Sequence, residues 1–158
     1  NLPLRSSNAC AANAPDGQAM WESLNSLWAS ATSGTNLVYH SAGWLEGGLI
    51  ASYEKFVMDC EVLQQFKRYF EPELCDFSDN ALAFDAVSEV GPTGHFFGCQ
   101  HTQERYTNAF YSPFLSDWRN FEAWTEAGGK WTHERANSIW KKILVLYPSV
   151  HFVFFNKI

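Results

Sequence analysis

A chain of 158 residues that is 46% hydrophobic and 18% charged has the balance of one folded domain, not of a disordered segment. Eleven Lys and Arg against seventeen Asp and Glu leave a formal charge of −6, which argues against a phosphate-tracking surface and so against nucleic acid as partner. No apolar run approaches the roughly 18 residues that cross a bilayer, so no membrane role is expected.

The chain opens at Asn1, without Met and directly inside an apparent strand, which points to a segment upstream. Leu2 to Ser7 reads as a short strand entering a loop of small residues, SSNACAANAPD. Pro15 and Asp16 suit the first turn of a helix, and Met20, Leu24, Leu27, Trp28 and Ala31 recur at helical spacing until Gly34 stops it. A second strand follows from Asn36 to His40, then a glycine-punctuated loop with Trp44 and Glu46. Two successive units of strand, loop and helix predict an α/β fold with parallel strands.

From Ser52 the positions Tyr53, Phe56, Val57, Cys60, Leu63, Phe66 and Phe70 trace one stripe of a long helix that Pro72 ends. Asp79 is placed to cap a shorter helix carrying Leu82, Ala83, Ala86, Val87 and Val90, closed by Gly91 and Pro92. Residues 94–131 are aromatic-rich and irregular, with short helices at best. A last helix capped by Thr132 carries Ala136, Ile139, Trp140, Ile143 and Leu144, and from Tyr147 the tail turns strand-like and apolar. That tail is an edge strand or a segment foreign to the rest.

Polar groups gather where the strands end, which is where parallel α/β folds place their chemistry. Arg5 near the end of the first strand offers a planar fork for a carboxylate, and His40 at the end of the second can donate to the same anion. Tyr39 and Trp44 offer aromatic faces that attract a quaternary ammonium. Glu46 either orients His40 or shapes the loop. The plain alternatives are a surface Arg5, a satisfied buried His40 and aromatic rings that only pack.

Cys10, Cys60, Cys75 and Cys99 lack the spacing of zinc or redox motifs and read as buried free thiols of a cytoplasmic protein. His95, Cys99 and His101 form too sparse a set for zinc, so no metal is expected. Their simpler role is to satisfy backbone groups or cap a helix starting near Thr102. No phosphate-binding glycine loop, G-x-S-x-G elbow or H-E-x-x-H helix is present.

The segments PDGQAMWES, GWLEGGLIASYEKFVMDCE and EVGPTGHFFGCQHTQERYTNAFYSPFLSDWRNFEAW, in that order over residues 1 to 145, resemble the carboxyl-terminal part of the trimethylamine methyltransferase family. The resemblance implies the end of a TIM (β/α)8 barrel followed by a helical extension. Residues 1–75 would be its last two strand-helix units, 76–146 the extension, and 147–158 an atypical tail outside the resemblance. It implies a methyl group passed from a methylamine or betaine to the Co(I) centre of a separate corrinoid (cobalamin) protein, with no cofactor held by this chain directly.

Trimethylamine enzymes of the family carry pyrrolysine, and the loop after the first strand holds only ordinary residues. The expectation is therefore the glycine betaine branch, with His40 as catalytic candidate and Arg5, Tyr39, His40, Trp44 and Glu46 around the substrate. Two strands close no barrel, so these residues alone are expected to be inactive. The alternatives are a zinc-dependent enzyme of the methanol or thiol type using Cys99, His95 and His101, and a non-catalytic module that docks the corrinoid protein. Self-association stays open.

Overall fold

The computed structural model describes residues 2–71 and 78–147. Its elements in chain order are β1 (Arg5–Ser7), α1 (Gly17–Thr32), β2 (Leu37–Tyr39), β3 (Trp44–Leu45), β4 (Ile50–Ala51), α2 (Tyr53–Tyr69), α3 (Asp79–Leu82), α4 (Phe84–Val90), α5 (Gln100–Gln103), α6 (Phe121–Glu126) and α7 (Thr132–Leu146). Residues up to Leu63 together with those from Pro113 on form one compact unit, and Gln64–Ser112 another. The Pro72 helix stop, Cys75, the 75/76 boundary and the tail from 148 lie outside the described residues.

In the first unit β1 and β2 pair in parallel, Arg5 opposite Leu37 and Ser7 opposite Tyr39, with α1 as the crossover. Both strands are shorter than expected, and Arg5 begins β1 instead of lying near its end. No closed barrel exists among the described residues.

Asp16 starts α1 by accepting the N–H groups of Gln18 at 2.9 Å and Ala19 at 3.2 Å. The buried face of α1 is Ala19, Ser23, Leu27 and Ser30, whereas Leu24 and Trp28, which recur at the same helical spacing, are 49% and 45% exposed. Small residues let the helix lie close to the strands, and serines satisfy strand polar groups there. Ser26 Oγ donates to the Ser7 carbonyl at 3.1 Å, and Ser30 Oγ to Ser6 Oγ at 2.9 Å.

The loop after β2 contains an antiparallel hairpin that the sequence did not announce, β3 on β4 with Trp44 opposite Ala51 and Leu45 opposite Ile50. Its turn holds Glu46, Gly47 and Gly48 at φ of 51°, 65° and 95°, the left-handed region that glycine enters freely. The turn seats on the loop after β1, where Glu46 N–H donates to the Ala12 carbonyl and Gly47 N–H to the Cys10 carbonyl. Cys10, Ala12, Ala19 and Leu45 form the small core beneath.

Ser52 caps α2, its Oγ accepting the Lys55 N–H at 3.2 Å. The buried face of α2 corrects the expected stripe: Lys55, Val57, Met58, Asp59, Glu61 and Val62 are buried, while Tyr53 and Phe56 are about half exposed. Val57 and Met58 pack with Leu115 and Ala136, joined by Met20, Ile139 and Trp140. Glu61 holds the segment before α6, its carboxylate accepting the N–H groups of Phe114 at 3.0 Å, Leu115 at 2.6 Å and Ser116 at 2.9 Å. Glu54 ties α2 to α7 by accepting Asn137 Nδ2 at 2.6 Å and Trp140 Nε1 at 2.8 Å. Trp131, not Thr132, caps α7, its N–H donating to Glu134 at 2.8 Å.

In the second unit the single helix expected over 79–90 is broken at Ala83, whose φ of 57° interrupts the backbone between α3 and α4. The helix expected near Thr102 is α5, which begins at Gln100. Among the described residues no helix is long and apolar enough to cross a membrane.

Candidate functional site

Alternation along the strands sorts the side chains of β1 and β2. Ser6 bonds α1, so Ser6 and its partner Val38 face the helix, and Arg5, Ser7, Leu37 and Tyr39 share the opposite face. On that face Arg5 and Tyr39 are diagonal neighbours, and the Arg5 guanidinium carbon lies 4.9 Å from the Tyr39 ring centroid.

His40 follows β2 directly with φ of 48°, a left-handed conformation that costs energy in a non-glycine residue. That backbone turns the imidazole out of the strand's alternation and against both neighbours. Its ring is 6.1 Å from Tyr39 and 5.1 Å from Trp44, the latter edge to face. Arg5, Tyr39, His40 and Trp44 therefore form an unbroken chain of contacts. Glu46 stands apart from it: its backbone joins the Ala12 loop, and its carboxylate makes no hydrogen bond with His40.

A network that sequence reasoning missed bonds to the segment between His40 and Trp44. Lys55 and Asp59, one turn apart on α2, are both fully buried, with Lys55 Nζ 2.6 Å from Asp59 Oδ1 and 2.5 Å from Oδ2. Lys55 also donates to Ser23 Oγ at 2.6 Å, and Asn8 Nδ2 donates to the same oxygen at 3.2 Å. Burying two charges costs several kcal/mol, offset here only because each finds further partners. A Lys and an Asp four apart normally read as a solvated pair. The signal present was their place beside Val57, Met58 and Val62.

Burial raises the Cys10 thiol above its usual range; Cys10 and Cys99 are buried free thiols, and Cys60 is half-buried. Burial pushes the Glu54 carboxyl up, but its bonds from Asn137 and Trp140 outweigh that and leave it lowered. The Arg119 fork on Asp117 holds that carboxyl at about 2.

For the zinc alternative, His95, Cys99 and His101 form no assembled ligand set among the described residues. His101 Nε2 donates to the Asn80 carbonyl at 2.9 Å, Cys99 Sγ contacts Thr102 Oγ1 at 3.3 Å, and no metal-holding group of three gathers among the described residues. His101 does what the backbone-satisfying alternative expected. A hollow of about 310 Å³ with Phe121, Trp124 and Trp131 as walls lies between α6 and α7.

Two kinds of sequence similarity bear on what this site belongs to. The family model described as trimethylamine methyltransferase (MTTB) matches residues 1–152, so the match runs past Tyr147, where the resemblance was expected to end. A glycine betaine methyltransferase of Desulfitobacterium hafniense is 37% identical over 132 residues, 84% of this chain and 27% of that protein. Trimethylamine methyltransferases of Methanosarcina mazei and Methanosarcina acetivorans are each 30% identical over 119 residues, 75% of this chain and 23% of theirs. The chain spans about a quarter of the length of these curated relatives.

Proposed function

This chain belongs to the trimethylamine methyltransferase family, and from that premise we propose that it supplies a substrate-binding wall of a betaine methyltransferase whose methyl acceptor is the Co(I) of a cytoplasmic corrinoid protein. The observation that carries the reading is the contact chain Arg5–Tyr39–His40–Trp44, which starts on the β1–β2 face turned away from α1 and ends on β3. A zwitterion with a quaternary ammonium and a carboxylate needs a cation and an aromatic face near each other, and this surface has both.

The roles divide by what each group already touches. The guanidinium of Arg5 lies on the Tyr39 ring, so Tyr39 orients Arg5 and leaves its fork for the carboxylate. Trp44 offers the face for the ammonium, an attraction of about 0.5 to 2 kcal/mol. His40, placed between them, donates to the carboxylate and fixes the substrate's long axis. Glu46 shapes the hairpin turn beside them.

The chemistry asks little more of the protein. When the methyl carbon leaves nitrogen, the bonding pair stays on nitrogen and the product is a neutral tertiary amine, so no proton has to be delivered. The acceptor brings the pair for the new bond as a second substrate. Alignment is then the main contribution of the protein. The identity to a glycine betaine enzyme supports a quaternary over a tertiary donor.

We place β1 and β2 as neighbouring strands of a (β/α)8 barrel with the shared face turned inward; α1 as a crossover between parallel strands supports this. The 158 residues bind substrate but do not turn over alone, since two strands close no barrel. The test is a titration of the chain with glycine betaine, choline and trimethylamine, read at the His40 ring and Trp44 indole resonances. Betaine should shift both, with choline and trimethylamine weaker; shifts confined to other residues would refute the reading.

A further inference from the structure

Three residues, Ser41 to Gly43, separate the imidazole of His40 from the indole of Trp44, and both ends of that segment are held by side chains from elsewhere. Asn8 at the end of β1 donates Nδ2 to the Ser41 carbonyl at 3.0 Å. Asp59 of α2 accepts the Gly43 N–H on Oδ2 at 2.8 Å. The two anchors are one structure, because Ser23 Oγ accepts from both Asn8 Nδ2 and Lys55 Nζ, and Lys55 is paired with Asp59.

We propose that this buried Asn8–Ser23–Lys55–Asp59 network is the positioning device of the site, clamping Ser41 and Gly43 so that His40 and Trp44 keep the mutual geometry a quaternary-amine substrate requires. The proposal rests on the reading of His40 and Trp44 as substrate-facing. Three features of the network bear on it.

First, His40 sits at φ of 48°, and a strained backbone persists only where its surroundings over-determine it. Two external anchors within three residues supply that constraint. Second, Gly43 has φ of 88°, and a Cβ there would lie 3.1 Å from Phe56 Cβ, so the segment is pressed against α2 as well as bonded to it.

Third, the network is a poor choice for stability alone. A buried ion pair is often no better than apolar residues of the same volume. Asn8, moreover, keeps Oδ1 buried without a hydrogen-bond partner among the described residues, while its Nδ2 donates to Ser23 Oγ and the Ser41 carbonyl. A buried orphan acceptor costs free energy, and the return for this orientation is the hold on Ser41.

The test uses the 158-residue chain and two variants that loosen different ends: Asn8→Ala, and the pair Lys55→Met with Asp59→Leu, which removes both charges together. Amide exchange at Gly43 and the nuclear Overhauser contact between the His40 and Trp44 rings are measured, with the amides of α1 and α7 as controls. Exchange at Gly43 should rise at least about tenfold more than that of the helix amides, and the ring contact weaken, in both variants. An unchanged Gly43 and ring contact, or changes that only track the helices, would overturn the proposal.

Glycine betaine titrated into the same three proteins separates this inference from the function beneath it. Affinity should fall about tenfold or more in both variants. Equal affinity despite a loosened segment counts against positioning. An unaltered chain that binds no betaine, while its variants still loosen the segment, refutes the betaine reading and leaves the clamp in place.

Discussion

Lys55→Met alone should be among the most damaging single changes in the first unit. Both Lys55 and Asp59 are 0% exposed, and removing the ammonium leaves a buried carboxylate with the Gly43 N–H as its remaining donor among the described residues. Breaking a buried pair in this way costs about 3 to 5 kcal/mol. Adding Asp59→Leu removes the stranded charge, and what remains is the loss of hydrogen bonds to Gly43 and Ser23, about 1 to 3 kcal/mol. The pair of substitutions should therefore be more stable than the single one by about 2 kcal/mol. In urea, with a slope of about 2 kcal/mol per molar, the midpoint should fall by about 2 M for Lys55→Met and by about 1 M for the pair. A Lys55→Met midpoint within roughly 0.3 M of the parent, or a pair no better than the single variant, would refute the reasoning.

Glu61→Gln exchanges one acceptor oxygen for an amide that faces backbone N–H groups of Phe114 to Ser116, and should lower stability by about 2 to 4 kcal/mol, seen as a drop of roughly 5 to 15 °C in Tm. Gly43→Ala forces a side chain into a left-handed residue against Phe56 and should cost about 1 to 3 kcal/mol in urea unfolding while broadening the His40 ring resonances. The Glu54 carboxyl is lowered in the folded state, so the unfolded chain binds its proton first as the solution is acidified. Its contribution is present above the ordinary value of 4.5 and is lost as pH falls through the lowered one. Urea midpoints from about pH 6 to about pH 3 should thus fall less steeply for Glu54→Gln than for the parent. With the other three cysteines replaced by serine, Cys10 should react slowly with a disulfide reagent near pH 8 and faster at higher pH, because burial raises its thiol.

The parallel βαβ unit was legible because turn residues and helical spacing mark it, and Asp16 and Gly34 bound α1 where expected. The buried faces were legible in part: Leu27, Val57, Ala86 and Ala136 were named and are buried. Counting large apolar residues selected Leu24 and Trp28 on α1 and Tyr53 and Phe56 on α2, yet the strands accept serines and the core of α2 holds charges. Hydrophobicity carries no information on which polar groups find partners across about thirty residues of chain, as Lys55 and Ser23 do. The split at Ala83 was hidden because alanine favours helix and its positive φ comes from context. For the site, Arg5, Tyr39, His40 and Trp44 were named from strand ends and do meet, although Arg5 reaches Tyr39 from the beginning of β1. The side chains holding the loop were invisible because Asn8 and Asp59 act on backbone groups of Ser41 and Gly43.

The central claim is that the sheet face carrying Arg5 recognises a zwitterionic quaternary amine through its carboxylate. Affinities of glycine betaine and choline should be measured for the parent chain and Arg5→Ala. A charge-assisted bond of about 1.5 to 3 kcal/mol implies that betaine binding weakens roughly tenfold to a hundredfold while choline is unaffected. Equal betaine affinity in the two proteins would contradict the account.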